Sequence, residues 1–339
     1  MKKAAVVILN WNGKHWLEKF IPKVLEFTSN PNFEIIVADN GSTDDSIAFL
    51  NASFPEIKQI ILDKNYGFTG GYNKALRQVE AEYFVLLNSD IEPTENWLDI
   101  LIEKMDQNEK VGACQPKILA YNNKNHFEYA GASGGFIDYL AYPYCRGRVF
   151  FTAEEDNGQY DTETEIFWAT GACLIVRSKL YTQLNGLDDD FFAHMEEIDL
   201  CWRIQNLGFK IMVFPQSTVY HVGGGTLSKE NPKKTFLNYR NNLALIFKNA
   251  PFPNNIFVVF QRMILDGVAG FQALLKGEYK NTLAILKAHL AFYAWIPSLL
   301  AKRKKLKSKK KLSDLQGTYN KSIVYQYFVK KQKTFDELN

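Results

Sequence analysis

Polar clusters in the first half of the chain stand where apolar runs stop. Asn10-Trp11-Asn12 follows Ala4 to Leu9, Asp39-Asn40-Gly41-Ser42 follows Glu34 to Ala38, and Asn88-Ser89-Asp90 follows Tyr83 to Leu87. A carboxylate such as Asp39 accepts a ring N–H of uracil or thymine. One such as Asp90 offers a hard oxygen to Mg²⁺ or Mn²⁺, ions that take one or two carboxylates plus substrate phosphates. Plainer readings stand beside these: Asn40-Gly41 is a hairpin signal, and a lone acid before a helix is often a cap or a solvated turn.

The stretch Asn65 to Asn73 contains Gly67, Gly70 and Gly71. Glycines before a helix let backbone N–H groups approach an anion, so a nucleoside diphosphate suits this loop; a flexible turn is the alternative. Farther along, Glu196-Glu197-Ile198-Asp199 opens a helix, where the dipole favours acids in any case. The preceding Phe191-Phe192-Ala193-His194 is placed to desolvate those carboxyls, which raises a pKa and makes a base for an acceptor hydroxyl. His221 reads either as a structural histidine or as a metal ligand, and Gly223-Gly224-Gly225 after it as a loop able to close over a ligand.

The elements that must position these groups alternate. Strands are expected at Ala4 to Leu9, Glu34 to Ala38, Ile57 to Leu62 and Tyr83 to Leu87. Helices are expected at His15 to Phe27, after Ser42-Thr43-Asp44-Asp45, from Asn73 to Val79 and from Pro93-Thr94-Glu95. Such alternation predicts an α/β fold with a mostly parallel, Rossmann-like central sheet flanked by helices. Ligands bind outside the carboxyl ends of such strands, which gathers the three polar clusters on one rim. From Val111 to Phe167 an irregular or β-rich insert is expected. A strand at Ala172 to Val176, a helix from Glu196 to Leu207, a strand at Lys210 to Phe214 and a helix after Asn231-Pro232 follow.

The 339 residues fit one catalytic domain, 1–250, and a helical, basic extension, 251–339. The net charge of +3 is local: eight Lys or Arg lie between Lys302 and Lys311, leaving the rest net acidic. Ile256 to Leu275 and Leu283 to Leu300 read as helices with broad apolar faces. Together with the basic run they predict peripheral attachment to an anionic membrane surface rather than a span, with a solvated charged tail or a nucleic-acid patch as the plain alternatives. Four separated cysteines without a C-x-x-C pair, and no secretory signal, point to reduced thiols in the cytoplasm.

Taken in order, Val6 to Gly13, Asp39 to Asp44, Asn65 to Phe68, Leu87 to Asp90, Gly171 to Arg177, Glu196 to Arg203 and His221 resemble the family 2 glycosyltransferases, most of all their rhamnosyltransferase-like branch. The resemblance implies a GT-A fold, a nucleotide-sugar donor, a divalent metal (Mg or Mn) and inversion at the anomeric carbon. It assigns pyrimidine reading to Asp39, the metal to Asp90 and His221, and the base to Glu197. Asn10, Asn12, Gly67, Asn73, Asn88 and Ser89 complete the expected donor-binding set. Two departures are visible: Asn88 stands where the family often has an acid, and Glu197 where it often has Asp, which keeps Glu196 as a second candidate base.

The function expected is transfer of a sugar from a UDP- or dTDP-sugar, dTDP-rhamnose among them, to a hydroxyl of a cell-surface polysaccharide or lipid-linked glycan. It is placed at the inner face of the cell membrane, with no nucleic-acid partner. A catalytically silent GT-A domain that binds glycan or scaffolds other enzymes at the membrane is the alternative. A glycoside hydrolase also uses paired carboxylates but needs no pyrimidine-reading aspartate.

Overall fold

The computed structural model describes residues 1–223, 231–306 and 309–338. The chain begins as strand–helix units: β1 (Lys2–Asn10), α1 (Lys14–Phe27), β2 (Phe33–Asp39), α2 (Ser46–Ser53), β3 (Lys58–Ile61), α3 (Gly67–Leu76) and β4 (Ala81–Asn88). Then come β5 (Ile91–Pro93), α4 (Trp97–Gln107), β6 (Val111–Ala120) and β7 (Asn123–Phe127). The expected irregular insert is a set of short strands, β8 (Gly135–Asp138), β9 (Pro143–Cys145), β10 (Arg148–Val149), β11 (Thr152–Ala153) and β12 (Thr164–Glu165). The chain continues as β13 (Cys173–Arg177), α5 (Ser178–Gln183), α6 (Glu196–Asn206), β14 (Lys210–His221), α7 (Pro232–Asn249), α8 (Asn254–Leu275), α9 (Tyr279–Lys305) and β15 (Thr318–Tyr319).

Among the described residues the main sheet runs β12-β14-β6-β13-β4-β1-β2-β3, with β5 added to β14 and β7 to β6. Strands β4, β1, β2 and β3 are mutually parallel, as are β6 and β14, while β13 is antiparallel to both of its neighbours. The sheet is covered on both sides, because successive residues of a strand point to opposite faces. Ala5 and Val7 join one buried cluster with Ile36, Ala38 and Tyr72; Ala4, Val6 and Ile8 join the other with Leu17, Ile21 and Trp97. An unbroken apolar run such as Ala4 to Leu9 is what a doubly covered strand requires.

The second sheet has the order β11-β10-β9-β8-β15. Its last strand comes from the C-terminal segment, which lies parallel to β8 and packs Ile323, Tyr327 and Leu338 against Tyr144 and Val149. The residues beyond Ala250 are thus threaded back into the insert.

Helix α7 starts where Asn231-Pro232 predicts. The Asn231 side chain accepts the Lys233 N–H at 2.9 Å, and proline occupies the first turn, where no N–H is needed. All four cysteines are free and buried, and burial pushes their thiols up.

Candidate functional site

The parallel register puts the three polar clusters on one rim. Asn10 is the sheet partner of Asp39, and Leu9 that of Asn88. Asn10 Nδ2 donates to Asp39 Oδ2 at 3.0 Å and to Ser42 Oγ at 3.2 Å, and the Ser42 N–H donates to Asp39 Oδ1 at 2.9 Å. Asn10 Oδ1 is buried with no hydrogen-bond partner among the described residues. A Cβ on Gly13 would lie 2.5 Å from that oxygen and 3.7 Å from Ser89 Oγ, which places Asn10, Gly13 and Ser89 together. Trp11, 45% exposed, stands on the same rim. Asn12 serves the loops: its Oδ1 accepts from the N–H groups of Thr43 at 2.7 Å and Asp44 at 3.3 Å.

Asp90 meets His221 because β5, immediately after it, runs antiparallel to the end of β14, with Ile91 opposite His221. The Val222 N–H donates to the Asp90 carbonyl at 3.1 Å. His221 Nε2 lies 3.2 Å from Asp90 Oδ1, and Asn88 Nδ2 is 3.4 Å from the same nitrogen. On the other side Glu128 Oε2 stands 3.3 Å from Nδ1, off the direction of a hydrogen bond. Burial works against the charged imidazole, yet Asp90 and Glu128 outweigh it and hold the His221 pKa up at about 10. Asp90 is held below the ordinary carboxylate range: burial pushes it up and the histidine more than offsets this. The pocket therefore favours a positive charge, which the imidazolium supplies here; a divalent cation would have to displace that proton to use the imidazole nitrogen beside the Asp90 carboxylate. Among the described residues no group of three or more His, Cys, Asp or Glu is arranged to enclose a metal. Gly224 and Gly225 of the expected loop lie outside the described residues.

Glu196 and Glu197 open α6 directly after three residues with positive φ: Phe192 at 66°, His194 at 69° and Met195 at 72°. Non-glycine residues rarely adopt this region, and each costs about 1–3 kcal/mol. The strained segment is held from outside. Asn241 on α7 donates to the carbonyls of Phe191, Ala193 and His194 at 2.8–3.0 Å, and Arg240 to those of Asp190 and Phe191 at 3.0 and 3.3 Å. Trp295 and Lys302 on α9 bind the Asp190 carboxylate at 3.2 and 2.5 Å.

Each glutamate keeps one buried carboxyl oxygen with no hydrogen-bond partner among the described residues. Burial raises the Glu197 pKa to about 7; Glu196, 4% exposed, is driven well above the carboxylate range by burial and then by the charge of Glu197. The Glu197 Cβ is 3.9 Å from where a Cβ on Gly171 would lie, and the neighbouring Ala172 carbonyl accepts the Asn88 N–H at 2.9 Å. Glu197 therefore borders the rim that carries Asn88 and Asp90.

Two members of the expected donor-binding set have partners within the protein. The glycine-rich loop does not present free N–H groups: those of Phe68 and Thr69 donate to the Phe192 carbonyl at 2.9 and 3.3 Å, and that of Gly67 to Asn65 Oδ1 at 2.8 Å. Gly67, at φ 73°, is needed because a Cβ there would lie 2.5 Å from the Phe192 ring, so this glycine admits the strained segment rather than a phosphate. Asn73 is likewise committed. Its Nδ2 donates to the Leu187 carbonyl and Asp189, and its Oδ1 accepts from Tyr181 and the Leu187 N–H, at 2.6–3.0 Å. Glu128 and Asn241 are the residues that sequence reasoning missed.

The model of glycosyl transferase family 2 matches residues 5–179, just over half the chain. The chain belongs to glycosyl transferase family 2. This glycosyltransferase is 24% identical over 234 residues to the N-acetylglucosaminyl-diphospho-decaprenol L-rhamnosyltransferase of Mycobacterium tuberculosis, an alignment covering 64% of this chain and 75% of that protein. It is also 24% identical to the O-antigen biosynthesis protein RfbC of Myxococcus xanthus, over 65% of this chain but 17% of the relative. Its fold is similar to that of GalNAc-T7 crystallised with UDP, GalNAc and Mn²⁺, at TM-score 0.60 and 13% identity, over 88% of this chain and 58% of the other. The mannosyltransferase PcManGT from Pyrobaculum calidifontis, in complex with GDP-Man and Mn²⁺, gives TM-score 0.52 and 13% identity over 91% and 89%. The family 2 enzyme thus has the expected GT-A fold. Glu196, Glu197 and His221 lie beyond the matched segment, so their grouping with Asp90 rests on geometry.

Proposed function

We propose that this glycosyltransferase moves a sugar from a UDP- or dTDP-sugar, dTDP-rhamnose among the candidates, to a hydroxyl of a cell-surface polysaccharide or lipid-linked glycan. It does so with inversion and with a divalent metal, at the cytoplasmic face of the membrane. The names of the two relatives support the acceptor class and the rhamnosyl donor. The observation that carries the chemistry is Glu197: a carboxyl with a pKa near 7 and an unpartnered oxygen, bordering the Asp90–His221 rim.

Asp39 reads the pyrimidine, and Asn10, Asn88 and Ser89 contact the rest of the donor. The Glu197 carboxylate takes the acceptor hydroxyl proton while that oxygen bonds to the anomeric carbon from the face opposite the leaving group. The bond from this carbon to the diphosphate oxygen breaks in the same displacement, and its electron pair departs with the nucleoside diphosphate. Glu197 is taken as the base because it borders the rim that carries Asn88 and Asp90, while burial and then the charge of Glu197 drive the Glu196 carboxyl well above the ordinary carboxylate range. A Mg²⁺ or Mn²⁺ ion held by Asp90 and His221 would supply charge neutralisation on the diphosphate.

The anomeric configuration of the product, read by NMR with a configurationally defined donor, tests this displacement. An inverted product that Glu197→Gln makes at least about 100-fold more slowly is expected; a retained configuration would contradict it.

A further inference from the structure

Helix α8 has its charges on the inside. Arg262 and Asp266 are 4% and 1% exposed. Arg262 donates to the Leu140 carbonyl at 3.1 Å and lies 3.4 Å over the Tyr142 ring, while Asp266 Oδ2 is 3.2 Å from His289 Nε2 of α9. The outward face carries Phe257, Phe260, Ile264, Val268, Phe271 and Leu275, three or four residues apart and each more than half exposed. On α9, Leu283, Leu286, Leu290 and Tyr293 repeat that spacing and exposure. A helix on a water-soluble protein turns its apolar stripe inward, and an apolar patch this large marks an interaction surface.

We infer that the outward face of the α8–α9 hairpin inserts among the acyl chains of one lipid leaflet. This deepens the peripheral-contact reading: apolar insertion, rather than the lysine run, supplies most of the attachment. The two helices are long and apolar enough to cross a membrane, yet only 22% and 28% of their most apolar windows are buried, unlike the core helices of a soluble protein. They nevertheless lie flat, because α9 is fastened along the length of α7. Thr235 donates to Asn281 at 3.1 Å near the start of both helices, and near the end of α7 the Phe247 ring meets that of Phe292 at 5.8 Å while the Phe247 carbonyl accepts from Arg303 at 2.8 Å. Helix α8, roughly 33 Å long, therefore offers its apolar side to the plane of a membrane.

Charge selects a lipid surface over a second copy of the chain. Lys276, Lys280, Lys287, Lys304 and Lys305 are exposed along the hairpin, against one exposed acid between Pro251 and Leu306, Glu278. Anionic headgroups complement that rim, whereas an identical face would bring lysines against lysines. Much of the basic run is committed internally: Lys302 to Asp188 and Asp190, Arg303 to the end of α7, and Lys310 to the Gln205 carbonyl. The hairpin turn also adjoins the α7 end nearest the site, where Lys233 lies 4.8 Å over the Phe192 ring. On the proposed function, a lipid-borne acceptor then reaches Glu197 from the leaflet side.

The test is binding of the full chain to phosphatidylcholine vesicles, with and without phosphatidylglycerol, at low and high salt. The triple variant Phe257→Ser, Phe260→Ser and Phe271→Ser is expected to lose about 100-fold or more in affinity for both vesicles. Lys276→Gln with Lys280→Gln weakens only the anionic case. Val268→Trp emission shifts blue and is quenched by bromines placed in the acyl chains. Unchanged donor hydrolysis by the serine variant shows that it folds. Serine-variant affinity equal to wild type, with binding abolished by salt, would overturn insertion while sparing electrostatic contact. Wild type binding neither vesicle, and forming a dimer by light scattering that the serine variant loses, would overturn both membrane readings and leave the transferase reading standing.

Discussion

His221 Nε2 lies 3.2 Å from Asp90 Oδ1 although strands β6 to β13 separate the two residues in the chain. The pair exists because a three-residue strand, β5, runs antiparallel to the end of β14. Removing one partner leaves the other buried and removes a ligand for the charge on the leaving diphosphate. Asp90→Asn and His221→Ala are each expected to lower metal-dependent donor turnover by about 10²–10³-fold with an unchanged far-UV CD spectrum. Steady-state kinetics at varied Mn²⁺ check this.

Glu197→Gln is expected to lower kcat by about 10²–10⁴-fold while leaving the donor Kd within about twofold. Wild-type kcat rises with pH through an apparent pKa near 7, because only the carboxylate accepts a proton, and the glutamine variant loses that rise. A folded-state pKa raised above its ordinary 4.5 contributes stability that is full below about pH 4.5 and lost as pH climbs through 7. Glu197→Gln is therefore more stable than wild type at about pH 8, by roughly 2–3 kcal/mol, and gains little at about pH 4.5. Urea titrations at the two pH values measure the difference.

Gly67→Ala sets a methyl against the Phe192 ring at a backbone φ of 73°. It is expected to cost about 1–3 kcal/mol and to lower kcat more than donor affinity, since the displaced segment leads into Glu196 and Glu197. Asn241→Ala frees the carbonyls of Phe191, Ala193 and His194 and is expected to act in the same direction. Either variant with normal kcat would separate the strained segment from catalysis.

Lys248, 3% exposed, lies between Asp188 at 2.7 Å and the fully buried Asp199 at 2.8 Å. Lys248→Met leaves both carboxylates short of a cation and is expected to cost about 3–5 kcal/mol at neutral pH. Burial pushes both aspartates up, but Lys248 with Lys302 on Asp188, and Arg203 with Lys248 on Asp199, more than offset it and hold both below the ordinary range. A lowered pKa gives stability present above the ordinary value near 3.8 and lost as pH falls, so the Met variant is less acid-sensitive than wild type. Stability against pH, followed by denaturant unfolding, checks both.

The strand–helix rhythm from Lys2 to Asn88 was readable because those elements are local: apolar runs of strand length, each ended by a polar cluster on what proves to be one rim. Long-range pairing was not readable. β5 is too short to show a period, and β14 runs on past Pro215 to His221 through a register shift between Phe214 and Thr218, where the sequence predicts a stop at Phe214. Glu128 sits in a Tyr- and Gly-dense insert without periodicity, and only folding brings it to His221. In the glycine-rich loop, the sequence does not distinguish glycine's close packing against Phe192 from close approach to an anion. Nothing local in Lys302-Arg303 shows that both side chains turn inward.

The central claim, a metal-dependent transferase using a pyrimidine nucleotide-sugar at the Asp90–His221 rim, is tested most directly by nucleoside diphosphate release. UDP-, dTDP- and GDP-sugars are assayed with and without Mn²⁺ or Mg²⁺, for wild type and Asp90→Ala. Metal-dependent release from one pyrimidine donor, lost in the variant, is the result predicted. No release and no detectable donor binding across the panel, or release that Asp90→Ala retains, would contradict it.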